Sequence, residues 1–182
     1  SLNMAGMSSS FPGNITIGSG SVFSMNTGST TLSFTGSYGA QTLTNNGTIT
    51  SGQLSGLVIQ NTSVSGSTVS IPAGLIVAGD GTLQLATGTL QTSGITVGAG
   101  GSTGFSMIIG DGQCSGTITR NFGTGTVNYT YSGTQPRITG SELPTSISGT
   151  LTISNPAGIT FNSSLQAGKL NLVSGTSYTS SS

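Results

Sequence analysis

Histidine and tryptophan are missing from this chain, cysteine occurs once, and only six of 182 side chains carry a formal charge. Each shortage closes a line of function. Without histidine the commonest general base and metal ligand is gone. One cysteine, Cys114, forbids an internal disulfide, and its expected role is that of a small buried apolar residue rather than a reactive thiol. Three cations, Arg120, Arg137 and Lys169, are too few to neutralise a nucleic-acid backbone. No apolar run approaches the ~20 residues of a membrane helix. Neither nucleic acid nor membrane insertion is therefore expected. No leader peptide is visible and Ser1 is an unusual natural start, which suggests a segment of a longer chain.

Charge is scarce enough to shape the surface. About a quarter of residues are charged in ordinary globular domains, against 3% here, with a net charge of zero. Ser, Thr, Asn and the 31 glycines must face solvent instead. Neutral hydroxyls and amides stack in rows without the repulsion that like charges would suffer, which favours repetitive β structure. Disorder is the expectation only at Ser8–Ser10 and Thr179–Ser182, because elsewhere apolar residues are frequent and grouped.

No stretch repeats apolar residues at helical spacing, whereas period-two groups run almost throughout. They include Ile15/Ile17, Leu32/Phe34, Leu57/Ile59, Leu83/Leu85, Phe105/Met107/Ile109, Val127/Tyr129/Tyr131, Leu151/Ile153 and Leu170/Leu172. Each points its apolar residues to one side and Thr, Ser, Asn or Gly to the other. Two all-β architectures fit. In a parallel β-solenoid (β-helix) of short strands the intervening turns are corners, and two or three strands give coils of some 18–27 residues. In an antiparallel β-sandwich of two similar units the turns are hairpins. The short, monotonous strands favour the solenoid. Asn45-Asn46-Gly47, between Thr-Leu-Thr and Thr-Ile-Thr, is the strongest hairpin signal, yet it suits a solenoid corner as well, and a corner is the reading adopted.

A weak internal repeat is present. Leu54–Asn61 resembles Ile147–Asn155, and an Ala-Gly follows each, at Ala73-Gly74 and Ala157-Gly158. Phe34-Thr35-Gly36 and Tyr131-Ser132-Gly133 precede them. The chain reads as one domain over 1–182, with divergent repeats at about 34–93 and 131–178.

The run TGSELPTSISGTLTISNPAGITFNSSLQAGKLNLVSG, Thr139 to Gly175, resembles the low-complexity β repeats of very large secreted surface proteins of Bacteroidota. GQCSGTITRNFGTGTVNYTY, Gly112 to Tyr131, is similar to segments that those proteins place between repeats. The first copy departs from the pattern, lacking the Glu-Leu-Pro lead-in and carrying a longer spacer, Thr62 to Ser70. The resemblance implies export, often through a type IX system, and a role as adhesin, stalk or filament. No sorting domain is visible in this sequence.

Candidate chemistry is thin. Asp80, Asp111 and Glu142 are spaced 31 residues apart, and the two aspartates each sit in Gly-Asp-Gly. Turn chemistry is the first reading. Alignment along one solenoid side, as a calcium or saccharide site, is the second. Arg120 and Arg137 are expected to pair with Asp111 or Glu142, or to lie across Tyr129 or Tyr131. Those tyrosines share one strand side, where core packing is the default and ligand contact the rival. Threonine pairs at Thr42/Thr44, Thr48/Thr50, Thr117/Thr119 and Thr150/Thr152 would bind ice only if stacked in consecutive coils. Asn-x-Ser/Thr acceptor patterns occur at Asn14, Asn46, Asn61, Asn128 and Asn162.

The expectation is a non-enzymatic extracellular segment of a cell-surface stalk or filament, with no catalytic residue, no metal and no cofactor. Self-association, other surface proteins or an extracellular glycan are the expected partners. Tyr129, Tyr131, Asp80 and Asp111 are the candidate contact residues. A carbohydrate- or partner-binding sandwich is the alternative, and an ice-binding solenoid a lesser one.

Overall fold

The computed structural model describes residues 2–3, 6–25, 30–50, 52–72, 74–100, 104–173 and 176–180. Among them there is no helix, and every recorded strand pairing is parallel. The chain is a parallel β-solenoid, and its coils stack along one axis. The sandwich alternative, which needs antiparallel pairing, is set aside.

One ladder runs the length of the molecule. Its strands are Ser8–Phe11, Thr31–Phe34, Leu54–Gln60, the second half of Ile76–Thr87, Gly104–Ile109, Thr126–Tyr131, Ser146–Ile153 and Gln166–Leu172. Register stacks side chains into columns. Phe11, Phe34, Ile59, Leu85, Ile109, Tyr131, Ile153 and Leu172 form one, giving steps of 23, 25, 26, 24, 22, 22 and 19 residues. Leu32, Leu57, Leu83, Met107, Tyr129, Leu151 and Leu170 form the next. Inward positions from Leu32 to Ile153 are buried, because alternate residues of a strand point to one side.

The other sides of each coil carry shorter ladders. Ile15–Ile17, Gln41–Asn45, Thr68–Ile71, Thr89–Ala99 and Gln113–Arg120 stack on one. Leu2–Asn3, Val22–Ser24 and Thr48–Thr50 stack on another. Arg137–Ile138, Ile159–Phe161 and Tyr178–Ser180 serve the last coils. Ile76–Thr87 and Thr89–Ala99 are long because each runs through a corner and resumes its pairing beyond it. Register shifts at Val77/Thr82 and Thr92/Ile95 mark the bends.

Asn45–Gly47 is a corner. Gln41–Asn45 and Thr48–Thr50 pair with strands of other coils, not with each other. The Asn45 side chain accepts the Gly47 N–H at 3.2 Å, and the Asn46 N–H reaches the Ile17 carbonyl of the preceding coil at 2.8 Å. Glycine is needed for closeness rather than for a left-handed backbone. A Cβ at Gly47 would lie 2.4 Å from the Ser21 carbonyl oxygen, and among the described residues only glycines have positive φ, Gly47 not being one of them.

The internal repeat has a register explanation. Leu57 and Leu151 share a column four coil steps apart, as do Phe34 and Tyr131. The similarity of about 90 residues therefore spans four coils of one continuous solenoid. Gly74 and Gly158 both take positive φ, at 100° and 93°, so the Ala-Gly signal marks a corner that only glycine turns easily. Ala73 and Gly175 lie outside the described residues. Ser8–Ser10, expected to be disordered, belongs to the first strand of the long ladder. Thr179 lies in the last strand, while Ser181 and Ser182 are outside the described residues.

Candidate functional site

The charges are not spread evenly. Asp111, Arg120, Arg137 and Glu142, four of the six, converge where the coil beginning at Gly104 meets the one beginning at Thr126. A strand ends at Ile109, and Asp111 turns the corner behind it. Its Oδ1 accepts the Thr134 and Gln135 N–H groups of the next coil at 2.7 and 3.0 Å, and its Oδ2 accepts the Thr134 hydroxyl at 2.9 Å. Partial desolvation works upward on this carboxyl. The two N–H groups, the hydroxyl and the Arg137 charge outweigh it and hold the group below the usual aspartate range.

Beneath this corner lies the one ion pair found among the described residues, Arg137 Nη2 to Glu142 Oε1 at 3.2 Å, with side-chain exposures of 8% and 1%. Glu142 Oε1 also accepts the Gly140 N–H at 3.0 Å and the Tyr131 hydroxyl at 3.2 Å. Arg137 donates to the Gly112 carbonyl and lies 5.8 Å from the centre of the Tyr131 ring. Arg120 caps the same turn, donating to the Ser141 and Glu142 carbonyls at 2.6 and 3.1 Å. Arg137 therefore pairs with Glu142 and lies over Tyr131, as the sequence suggested, whereas Arg120 finds backbone carbonyls instead of a carboxylate or a ring. An isolated charge could not be held at this depth, and here three donors converge on one carboxylate oxygen.

Above the pair opens a depression of about 350 Å³. Asp111, Gln113, Cys114, Gln135, Arg137 and Glu142 line it, with Pro136 and Ile138 at its side. Glu142, Gln113 and Gln135 were not picked out as contact residues in the sequence. The available signal was the occurrence of Arg137 and Glu142 five residues apart in a chain with six charges. Cys114 is half-buried against the core, and burial pushes its thiol up, which makes it a weak nucleophile at neutral pH.

The structure separates the four candidate contact residues. Asp111 lines the depression. Asp80 is exposed at the opposite end of the long ladder's strands, in the bend of Ile76–Thr87. Coil steps of 19–26 residues do not match an interval of 31, so the three acids form no row. Tyr129 and Tyr131 are fully buried in the core columns and present no surface to a ligand. Desolvation keeps both phenols protonated, with Tyr131 pushed well above the usual tyrosine value.

Thr42/Thr44, Thr48/Thr50 and Thr150/Thr152 lie on three different ladders, and Thr117/Thr119 shares a ladder with Thr42/Thr44 but lies three coils away, so the pairs do not stack in consecutive coils. The acceptor patterns also sort by position. Asn61 is buried, donating to the Gly39 carbonyl at 2.8 Å and accepting the Ser63 N–H at 2.9 Å. Asn155 performs the same task four coils on, with Gln135 and Ala157 as partners. Asn46 and Asn162 are exposed at corners.

No cluster of three or more potential metal ligands occurs among the described residues. No helix among them is long and apolar enough to cross a membrane. Comparison with protein-family models, with curated proteins and with solved structures gives no match to this chain.

Proposed function

We propose that this chain is a non-enzymatic structural segment of an extracellular stalk or filament, and that it lengthens by stacking coil upon coil. The observation that carries this reading is the state of the two core columns at the C-terminal end of the described ladder. Leu170 and Leu172 occupy inward register positions above Leu151 and Ile153, yet they are 44% and 47% exposed. Val173, next in the chain, and Tyr178, on the last strand of another ladder, are exposed as well. A further coil, from the same chain or from a second copy, would bury all four and pair the free edge of Gln166–Leu172.

The opposite end offers a matching edge in Ser8–Phe11, with Phe11 partly buried and Met7 exposed. Because the ladder is parallel throughout, a second copy fits by translation along the axis. Such a head-to-tail contact does not close on itself, and it generates a fibre. Scarce charge leaves little repulsion to oppose that contact. The likeness to Bacteroidota surface repeats supports an extracellular, adhesive setting.

Electron microscopy across a concentration series, on the wild type and on Leu170→Asp/Leu172→Asp, tests the reading. Rods that lengthen with concentration, show an axial spacing near 4.8 Å and fail to grow in the variant are expected. Monodisperse particles of wild type at every concentration would sink the self-assembling filament. A growing variant would move the contact away from this edge.

A further inference from the structure

We propose that the corner depression between the Asp111 and Gln135 coils binds a neutral saccharide, taking adjacent hydroxyl groups of a pyranose on Asp111, Gln113 and Gln135 and the C–H face of the ring on Pro136 and Ile138. The inference does not rest on filament assembly and stands or falls separately.

The lining selects the ligand class. Asp111 and Glu142 are carboxylates and Arg137 is a guanidinium, so the depression carries both signs of charge. An anion meets two carboxylates and a bare cation meets the arginine. A neutral polyol is compatible with both, because each hydroxyl donates and accepts. The Gln113 and Gln135 side chains are exposed and make no hydrogen bond within the described residues. An amide of that kind can donate to one sugar oxygen and accept from the next hydroxyl. Asp111 Oδ2, which takes a single hydrogen bond from Thr134, retains acceptor capacity. Ile138 is 68% exposed and, with Pro136, supplies the apolar shelf that a pyranose ring needs on one face.

Its foundation is rigid. The Arg137 side chain is more than nine-tenths buried, holds Glu142 and Gly112 at once, and keeps an Nε with no hydrogen-bond partner. A buried ion pair is a weak device for stability alone, and the rest of this chain avoids charge. Under a recess, the same pair fixes the corner in advance, which lowers the entropy lost when a ligand is ordered there. The volume suits one ring rather than a long chain.

The test is a titration of the ¹⁵N-labelled protein with methyl glycosides of glucose, galactose and mannose. Sodium sulfate and calcium chloride serve as charged probes. Saturable shifts of the Gln113 and Gln135 side-chain amides and the Thr134 N–H are expected with at least one glycoside. Gln135→Ala and Ile138→Ser remove only exposed side chains, and each should weaken that binding about tenfold while leaving the remaining spectrum in place. Tyr38, an aromatic 96% exposed on a distant corner, is the internal control. No saturable shift with any glycoside would overturn the proposal. So would shifts that centre on Tyr38, binding unchanged in both variants, or a stronger response to sulfate or calcium.

Discussion

The coils between Phe11 and Leu85 and those between Phe105 and Phe161 continue the same ladders with different chemistry in their corners. In the first region the two columns of the long ladder hold Leu, Ile and Phe, and the buried polar work is done by amides. Gln41, 2% exposed, accepts the Gly36 N–H at 2.8 Å and donates to the Phe11 and Gly13 carbonyls at 2.8 and 2.9 Å. Asn61 joins it at 3.3 Å and reaches the Gly39 carbonyl. In the second region Tyr129 and Tyr131 enter the columns, and a buried ion pair is added to the amide corner at Asn155. Glu142 gathers Arg137, Tyr131 and Gly140. Both devices satisfy backbone groups that a tight corner would otherwise strand. They differ in what each demands of its surroundings. An amide donates and accepts at any pH, while a buried carboxylate is tolerable only beside its cation.

That difference sets the order of the expected effects. Glu142→Ala leaves the Arg137 guanidinium buried without its counter-charge and strips a partner from Tyr131. Breaking one side of a buried pair typically removes about 3–5 kcal/mol, and urea denaturation should show a loss of that size. Gln41→Ala removes no charge but orphans the Gly36 N–H and the Gly13 carbonyl and leaves the Phe11 carbonyl with only the Thr35 N–H, and about 2–3 kcal/mol is expected for buried groups of this kind. A loss from Gln41→Ala equal to or greater than that from Glu142→Ala would break the comparison. It would mean that the ionic corner is held by packing around Tyr131.

Much of the first region was legible in the sequence, and less of the second. Pairs such as Leu57/Ile59 and Leu83/Leu85 became core columns because period two is a local property of the strand. The expected coil length of 18–27 residues holds for the same reason, since turn residues bound each strand locally. Asn45–Gly47 was readable as a corner, although the role of its glycine lies in contact with Ser21, a residue of the neighbouring coil. Asn61 was indistinguishable from a glycan acceptor, because burial depends on the coil below. Tyr129 and Tyr131 were rightly placed on one side of a strand. Only the stacking of Leu151 and Ile153 above them shows that this side faces inward. Gly79-Asp80-Gly81 read as a turn, and it is the bend inside Ile76–Thr87 where the registered pairing breaks between Ala78 and Thr82.

Acid provides the finest separation between the two regions. The Asp111 carboxyl is held below its ordinary value in the folded corner, so its contribution to stability is present above the unfolded aspartate value of ~3.9. It is lost as pH falls through the folded value, where the Thr134 and Gln135 N–H groups face a protonated acid. Asp111 is largely open to water, so the effect should stay below about 1 kcal/mol, as for exposed charge interactions. Urea midpoints measured from pH 6 down to pH 2.5 should therefore fall more in the wild type than in Asp111→Asn. The amide, neutral throughout, contributes no slope of its own. Parallel pH profiles would mean that Asp111 closes its corner by shape, as Asn61 and Asn155 close theirs. The contrast between neutral and ionic corners would then reduce to the buried Arg137–Glu142 pair.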